Sequence, residues 1–419
     1  MVKNNYSVIL TYFLLYISLL VGFALQEDVT LGQIKDYLIH QEKAEIFKKN
    51  IINGFLKYEE YPNITHSPIY ILYTIILENI FNNKILARLF NLHLSLLIPF
   101  FFYKCLEVKY KNKITDYKIF IPVIFFFSPY YRAGSIWLDD NITAIIFFIL
   151  SVFFFLKFQD QKEKIIYLIL NSIFLAAASY LRPIYSLFSI YFFIIFIYEL
   201  KFSKKVIYYM LCNCFLAIPA FYYVFILKID GWFANNLLLY NPITILSLVS
   251  SIVFLYSLPM IFDNNNWKKK KHTISGAILL LLFFILEKLY FNYDLNYSGG
   301  AVFRILSYLS IPKIVFFIFG AISFYFMYFI FFKSHTNKNF FSDIILLTIL
   351  IFLEIDGIVY AETYDPLIYI VFFLLIKNKF FLNYLDHFSK KNFTILLSFI
   401  IFNYLLFAFK LFLFTKKLI

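Results

Sequence analysis

The sequence predicts an all-α polytopic membrane protein, and three observations carry that prediction. The 419 residues are 62% hydrophobic, against roughly 45–50% for a soluble domain. A soluble fold of this length could not hide so many Phe, Ile and Leu side chains from water. Apolar runs of about 17–25 residues recur to the C-terminus, the length that spans a hydrocarbon core of about 30 Å. The lysines behind the net charge of +13 sit in short loops between those runs, as the positive-inside bias of membrane proteins predicts. That placement accounts for the basic excess without nucleic acid as a partner. The whole chain, 1–419, reads as one membrane-embedded domain with no room for a separate soluble one.

The elements follow in order. The first helix covers about 7–25. It is long and lacks a small-x-small cleavage site, so it reads as a retained helix rather than a signal peptide. It emerges onto Glu27-Asp28 and a mildly acidic segment, 26–65, which belongs outside the cytoplasm. Leu38, Ile39, Ile46, Phe47 and Ile51 predict short amphipathic helices lying on the membrane surface within that loop. Residues 66–82 are apolar at 69–77 but interrupted by Glu78, Asn79 and Asn82. A full crossing there would put the lysine-rich loop 104–118 outside, so 66–82 is read as a re-entrant or interfacial helix.

Helices are then predicted at 86–103, 118–130, 141–157, 165–181, 183–200, 204–227, 243–262, 273–291, 305–332, 341–357, 364–376 and 393–414. About thirteen crossings result. The inner loops hold Lys162, Lys164, Lys201, Lys204, Lys205 and Lys268 to Lys271, and only Lys416 and Lys417 fall on the wrong side. The three cysteines, Cys105, Cys212 and Cys214, have neither a metal-ligand nor a disulfide spacing.

This topology collects the informative polar residues on the outer face: Glu27, Asp28, His66, Arg132, Asp139, Asp140, Arg182, Tyr293, Asp294, Arg304, Glu362, Tyr364 and Asp365. A transporter more often places polar groups near the midplane, on broken helices. Each motif has a plainer reading as well. Glu27-Asp28 is either a general base at a dry interface or a solvated helix end. In Thr65-His66-Ser67-Pro68-Ile69-Tyr70, Pro68 suits a first helical turn, with Ser67 or Thr65 as cap. The stretch Phe127–Asn141 reads as a helix ending at Pro129, then an outer loop with Arg132, Asp139 and Asp140, where Asp140 or Asn141 can cap the next helix. Arg182 and Arg304 either snorkel or meet an anion, and a phosphate would satisfy either bidentately. Asp365, before Pro366, is a candidate N-cap.

Taken in order, these pieces resemble a known family. A first helix ending in adjacent carboxylates, a long outer loop, the turn His66-Ser67-Pro68-Ile69-Tyr70 and then Ala87-Arg88-Leu89-Phe90-Asn91 resemble the C-type, polyprenyl-phosphate-sugar-dependent glycosyltransferases. That superfamily includes the protein O-mannosyltransferases and the aminoarabinose transferase of lipid A. Its turn commonly reads His-Pro-Pro-Leu-Tyr, so Ser67 departs from it. Its carboxylate pair reads Asp-Glu in the O-mannosyltransferases, where this chain has Glu27-Asp28. The stretches Phe127–Asn141, Tyr180-Leu181-Arg182 and Glu362-Thr363-Tyr364-Asp365-Pro366 are more similar to the dolichyl-phosphate-glucose α-1,2-glucosyltransferase family.

The resemblance implies an inverting transfer from a polyprenyl-phosphate-linked sugar to an extracytoplasmic glycan, lipid or protein. Asp28 or Glu27 would be the catalytic base. Arg182, Arg304 and His66 would bind the donor phosphate. Asp139, Asp140, Arg132, Glu362, Tyr364 and Asp365 would bind acceptor or sugar. No cofactor is required, and a divalent metal is allowed at Glu27 and Asp28. The membrane is expected to be a bacterial inner membrane, with the endoplasmic reticulum as the alternative. The competing class is a transporter or flippase of lipid-linked sugars.

Overall fold

The computed structural model describes residues 2–56, 58, 67–110, 116–222, 242–263, 270–291, 300–333, 340–353 and 359–417. Every element among them is helical. Among the described residues, seven helices are long and apolar enough to cross a membrane, or up to nine if each of two bent pairs counts as one span. The chain divides into two compact units, Met1–Ala234 and Asn235–Ile419.

In the first unit, α1 (Val2–Ala24) shows how a spanning helix sorts its faces. Tyr6, Ile9, Leu10, Phe13, Leu14, Ile17 and Val21 are exposed apolar residues at helical spacing, the face that lipid would cover. Leu19 and Gly22 face inward. Next come α2 (Gln33–Lys49) and α3 (Ile51–Leu56), within the segment expected to carry surface helices. The buried face of α2 is formed by Gln33, Tyr37, His40, Gln41, Lys43, Ala44 and Phe47. Of the five apolar residues used to predict those surface helices, only Phe47 is fully buried, while Leu38 and Ile51 are exposed. The helix packs a half-polar face onto α4 (Pro68–Phe81) and α8 (Pro129–Trp137).

Ser67 caps α4, accepting the Ile69 amide at 3.3 Å, with Pro68 in the first turn. Fourteen residues give α4 a length of about 21 Å, short of the hydrocarbon thickness. The predicted helix 86–103 is two segments, α5 (Lys84–Ser95) and α6 (Leu97–Tyr110), which together form one candidate span.

Two expectations fail locally, each for a proline. The stretch after Pro129 is not a loop. Ser128 accepts the Tyr131 amide at 3.0 Å and Pro129 takes the first helical position, so the chain bends by 64° between α7 (Val123–Phe127) and α8. The predicted helix 305–332 is likewise interrupted. The helix α15 (Gly300–Tyr308) stops at Ser310, whose φ of 55° is left-handed, and Pro312 precedes α16 (Lys313–Tyr328).

The centre of the first unit is α9 (Asp140–Asp160), buried on most sides. Phe148 packs on Phe188 at 4.5 Å between centroids, and Phe154 stacks on Phe174 at 5.5 Å. Asn171 on α10 (Ile165–Leu181) donates to the Ser151 carbonyl at 3.0 Å and hydroxyl at 2.8 Å. Such amide clasps join helices where packing alone gives little preference. The unit continues with α11 (Phe188–Leu200) and α12 (Lys204–Phe221).

In the second unit, α13 (Pro242–Asp263) and α14 (Lys270–Tyr290) both pack against α16. Phe283 and Phe324 stack at 4.0 Å. Beyond them lie α17 (Phe340–Phe352), the short α18 (Ala361–Tyr364), α19 (Leu367–Ile370) and α20 (Lys379–Asp386), and the long α21 (Lys390–Lys417). A cis peptide joins Asp365 to Pro366.

Candidate functional site

The turn Ile136-Trp137-Leu138-Asp139-Asp140, where α8 hands over to α9, is where most of the singled-out residues of the first unit meet. Leu138 has a φ of 56°, a left-handed conformation that a leucine adopts only under constraint from its surroundings. Four contacts supply that constraint. The Arg88 Nε donates to the Ile136 carbonyl at 3.0 Å. The Trp137 indole donates to the Glu27 carbonyl at 3.0 Å. The buried Tyr70 hydroxyl donates to the Leu138 carbonyl. The Asp139 carboxylate accepts the Ile142 amide at 3.1 Å and so caps α9. Beneath the turn lies an apolar core of Leu19, Tyr37, Leu77, Ala87, Leu92, Ile136, Trp137 and Leu138.

Arg88 sits in this core under an aromatic cage. Its guanidinium lies 3.7 Å from the Trp137 ring centroid, 5.2 Å from Phe23 and 5.3 Å from Tyr37. A desolvated cation over several ring faces gains about 2 kcal/mol or more. Arg88 thereby holds α1, α2 and α5 to the end of α8.

Glu27 pairs bidentately with Arg132. Nε donates to one carboxylate oxygen at 2.7 Å and Nη2 to the other at 2.6 Å. The rest of the guanidinium is also taken up within the protein: Nη1 meets the Ser18 hydroxyl at 3.1 Å and the Phe126 carbonyl at 3.2 Å, and Nη2 the Ser18 carbonyl at 3.2 Å. All five N–H donors of Arg132 therefore have acceptors inside the protein, a fixed ion pair rather than a ligand-facing cation. Gly22 makes the pair fit, because a Cβ there would overlap the Glu27 carboxylate and lie 3.0 Å from Arg132 Nη2. A divalent metal at Glu27 and Asp28 would have to share the oxygens of Glu27 with Arg132.

Asp28, half-buried, accepts the Thr30 hydroxyl at 2.8 Å, the Leu31 amide at 3.0 Å and the Ile34 amide at 3.1 Å. These bonds fold the chain from α1 into α2 and fix the carboxylate's direction. Asp140 is buried and pairs with Arg182 Nη1 at 3.2 Å. Arg182 is thus neither a snorkelling cation nor an exposed one. Its neighbour Tyr180 accepts a 2.5 Å bond from the Ser67 hydroxyl at its carbonyl and donates from its own hydroxyl to the Leu216 carbonyl at 2.6 Å. Tyr185 donates to the Asn141 side chain at 2.9 Å.

Sequence reasoning passed over Lys43, whose Nζ lies 5.8 Å from the Tyr58 ring centroid and which is buried on α2. Burial pushes its ammonium down to about 8, and the Asp140 carboxylate opposes that shift. It also passed over Arg88 as a site residue, Asn91, and the pair of donors that Gln41 and Lys48 offer to the buried Glu78. The signal was present. Lys43, His40 and Gln41 share a helical face with Tyr37, Ala44 and Phe47, but a search for apolar periodicity skips polar members of a buried face.

The remaining predicted residues belong to the second unit or fall outside the description. Arg304 is half-buried on α15 and bonds the Tyr308 hydroxyl at 3.0 Å. Glu362 is half-buried, and Tyr364 is buried with its hydroxyl on the Leu350 carbonyl at 2.9 Å. Asp365 is buried, but it ends α18 instead of capping α19. His66, Tyr293 and Asp294 lie outside the described residues. Among the described residues, no three His, Cys, Asp or Glu side chains converge as a metal site. No family model matches the chain, and no curated protein or solved structure matches it either.

Proposed function

We propose that the protein is an integral membrane glycosyltransferase that moves a sugar, with inversion, from a polyprenyl-phosphate donor to an extracytoplasmic glycan, lipid or protein. The observation that carries the reading is that one short helix, α8, joins both acidic turns. Arg132 and Trp137 hold Glu27, and hence the Glu27-Asp28 turn, while its C-terminal end leads into Asp139 and Asp140 with Arg182 and Lys43 beside them. The resemblance in motif order supports the same reading.

The chemistry divides as follows. Asp28 takes the proton of the acceptor hydroxyl, because both oxygens of Glu27 are committed to Arg132. The acceptor oxygen bonds to the anomeric carbon, and the bond from that carbon to the phosphate oxygen breaks, its electron pair leaving with the lipid phosphate. Attack opposite the leaving group inverts the centre. The departing phosphate needs positive charge more than a proton, and Arg182 and Lys43 supply it. Arg132 acts as the positioning partner of the Glu27-Asp28 turn rather than as a sugar ligand.

The topology that goes with this reading has about thirteen crossings, with 26–65 outside and 66–82 returning to its starting side. The shortness of α4 supports the last point. The membrane is a bacterial inner membrane, with the endoplasmic reticulum as the alternative. A transporter or flippase of lipid-linked sugars is the second reading. The observation favouring it is a buried carboxyl in the second unit, Glu287, since intramembrane acids commonly serve proton-coupled transport.

One assay separates the two. Purified protein in vesicles receives labelled polyprenyl-phosphate-sugar and an acceptor extract. Transfer that is lost in Asp28→Asn supports the first reading. Movement of label across the bilayer without transfer supports the second. Accessibility labelling that finds Lys109 on the outer side would overturn the assignment of 66–82.

A further inference from the structure

Glu287 lies on α14 and is 0% exposed. The Ser247 hydroxyl of α13 is hydrogen-bonded to its Oε1 and the Ala321 amide of α16 faces the carboxyl, while Oε2 has no further partner among the described residues. No ion pair reaches it among the described residues either. The carboxyl is seated against the backbone of α16 at Gly320, where an added Cβ would overlap Oε1 and lie 2.5 Å from the Ser247 hydroxyl. Three helices thus build a seat for one carboxyl group. Thr244, Ser250 and Ser251, all buried on α13, flank Ser247 on that helix.

Among the described side chains of those helices, the other charged and titratable groups are exposed or packed elsewhere. On α14 itself Lys288 is exposed. On α16, Lys313 is exposed and seven residues from Gly320, about 10 Å along the axis, and Tyr325 lies over Gly276. On α13, Tyr256 packs edge-on against Tyr369 at 5.3 Å. On α15, which also packs on α13, Arg304 bonds Tyr308. An isolated carboxylate without a cation is too costly to bury, so the seat needs a positive ligand on the carboxyl.

We propose that Glu287 is a proton-binding site at the junction of α13, α14 and α16, occupied by a proton whenever the carboxyl is seated between Ser247 and Gly320. Loss of the proton unseats the side chain, so the site links proton release to the packing of three helices. The inference is independent of the transferase reading, since it concerns the second unit and needs no sugar substrate.

Two measurements test it on the full-length protein in vesicles. Dicyclohexylcarbodiimide adds to protonated carboxyls in apolar surroundings: the acid proton passes to a carbodiimide nitrogen and the carboxyl oxygen bonds to its carbon. Peptide mapping of the wild type at pH 6 is expected to find Glu287 modified at least tenfold faster than the exposed Glu163, with the rate falling as pH rises to 9. No adduct at Glu287 would overturn the proposal. So would protection by sodium over choline at equal ionic strength, because the ligand would then be a metal cation. The second measurement is the infrared difference between the wild type and Glu287→Gln at pH 7. Loss of a protonated carboxylic acid band is expected, and loss of an ionised carboxylate band would contradict the proposal. Circular dichroism of Glu287→Gln checks that the helices persist.

Discussion

Two acids in this molecule, Glu27 half-buried and Glu287 fully buried, have opposite surroundings. Glu27 in the first unit meets a guanidinium through both oxygens, in a pocket that Gly22 keeps open. Glu287 in the second unit meets a serine hydroxyl and a glycine backbone, with no cation among the described residues. The first is fixed by its ion pair, and the second is proposed to hold a proton. The contrast teaches that a buried carboxylate is not by itself a catalytic group. What surrounds it decides whether it anchors, titrates or reacts, and within Glu27-Asp28 the surroundings leave Asp28 as the candidate for chemistry.

The strongest way to break the comparison is to remove a cation. Arg132→Met leaves the half-buried Glu27 without its partner, and a loss of about 2–3 kcal/mol is expected, read as thermal unfolding in detergent. Adding Glu27→Gln to Arg132→Met should recover at least half of that loss. If the double variant is no better than the single one, the ion pair is not what positions this turn.

Arg88→Lys comes next. It keeps the charge but loses the planar stack on Trp137 and the directed bond to the Ile136 carbonyl, with an expected loss of about 1–2 kcal/mol. A smaller effect is expected from Asp139→Ala, which removes one cap from α9 at about 1 kcal/mol.

The gentlest test is pH. Lys43 titrates near 8 in the folded protein, against about 10.4 when unfolded. A lowered folded value means that the charged form costs stability below about pH 8. That cost fades as pH rises from about 8 and is gone above the unfolded value. Binding of a polyprenyl-phosphate donor should run the other way, weakening several-fold between pH 7 and 9 as the ammonium is lost. Lys43→Arg should flatten that dependence, and a profile unchanged in Lys43→Arg would remove Lys43 from the donor site.

Much of the fold could be read from composition and helix period, because spanning segments are long and locally determined. The predicted 165–181 coincides with Ile165–Leu181, and Ser67 with Pro68 announced the start of α4. What stayed hidden is long-range. Glu27 and Arg132 are 105 residues apart, and Arg182 and Asp140 are 42 apart. Each was singled out separately, but no local pattern says which carboxylate meets which cation. Lys43 was hidden differently, since a lysine on a buried helical face contradicts the usual sorting of polar residues outward. The two broken helices were missed because one was ended at Pro129 and the other drawn straight through Pro312, whereas each proline stands at the start of a new helix.

The central claim, that Asp28 is the base and Glu27 its anchored neighbour, is tested most directly by single-turnover transfer from labelled donor in vesicles. Asp28→Asn should lower the rate about 100-fold or more while leaving donor binding near wild type, with stability falling only by about 1 kcal/mol for the one acceptor lost. Glu27→Gln should instead lower stability, and its rate should recover when temperature is reduced. Transfer at an undiminished rate in Asp28→Asn would contradict the account.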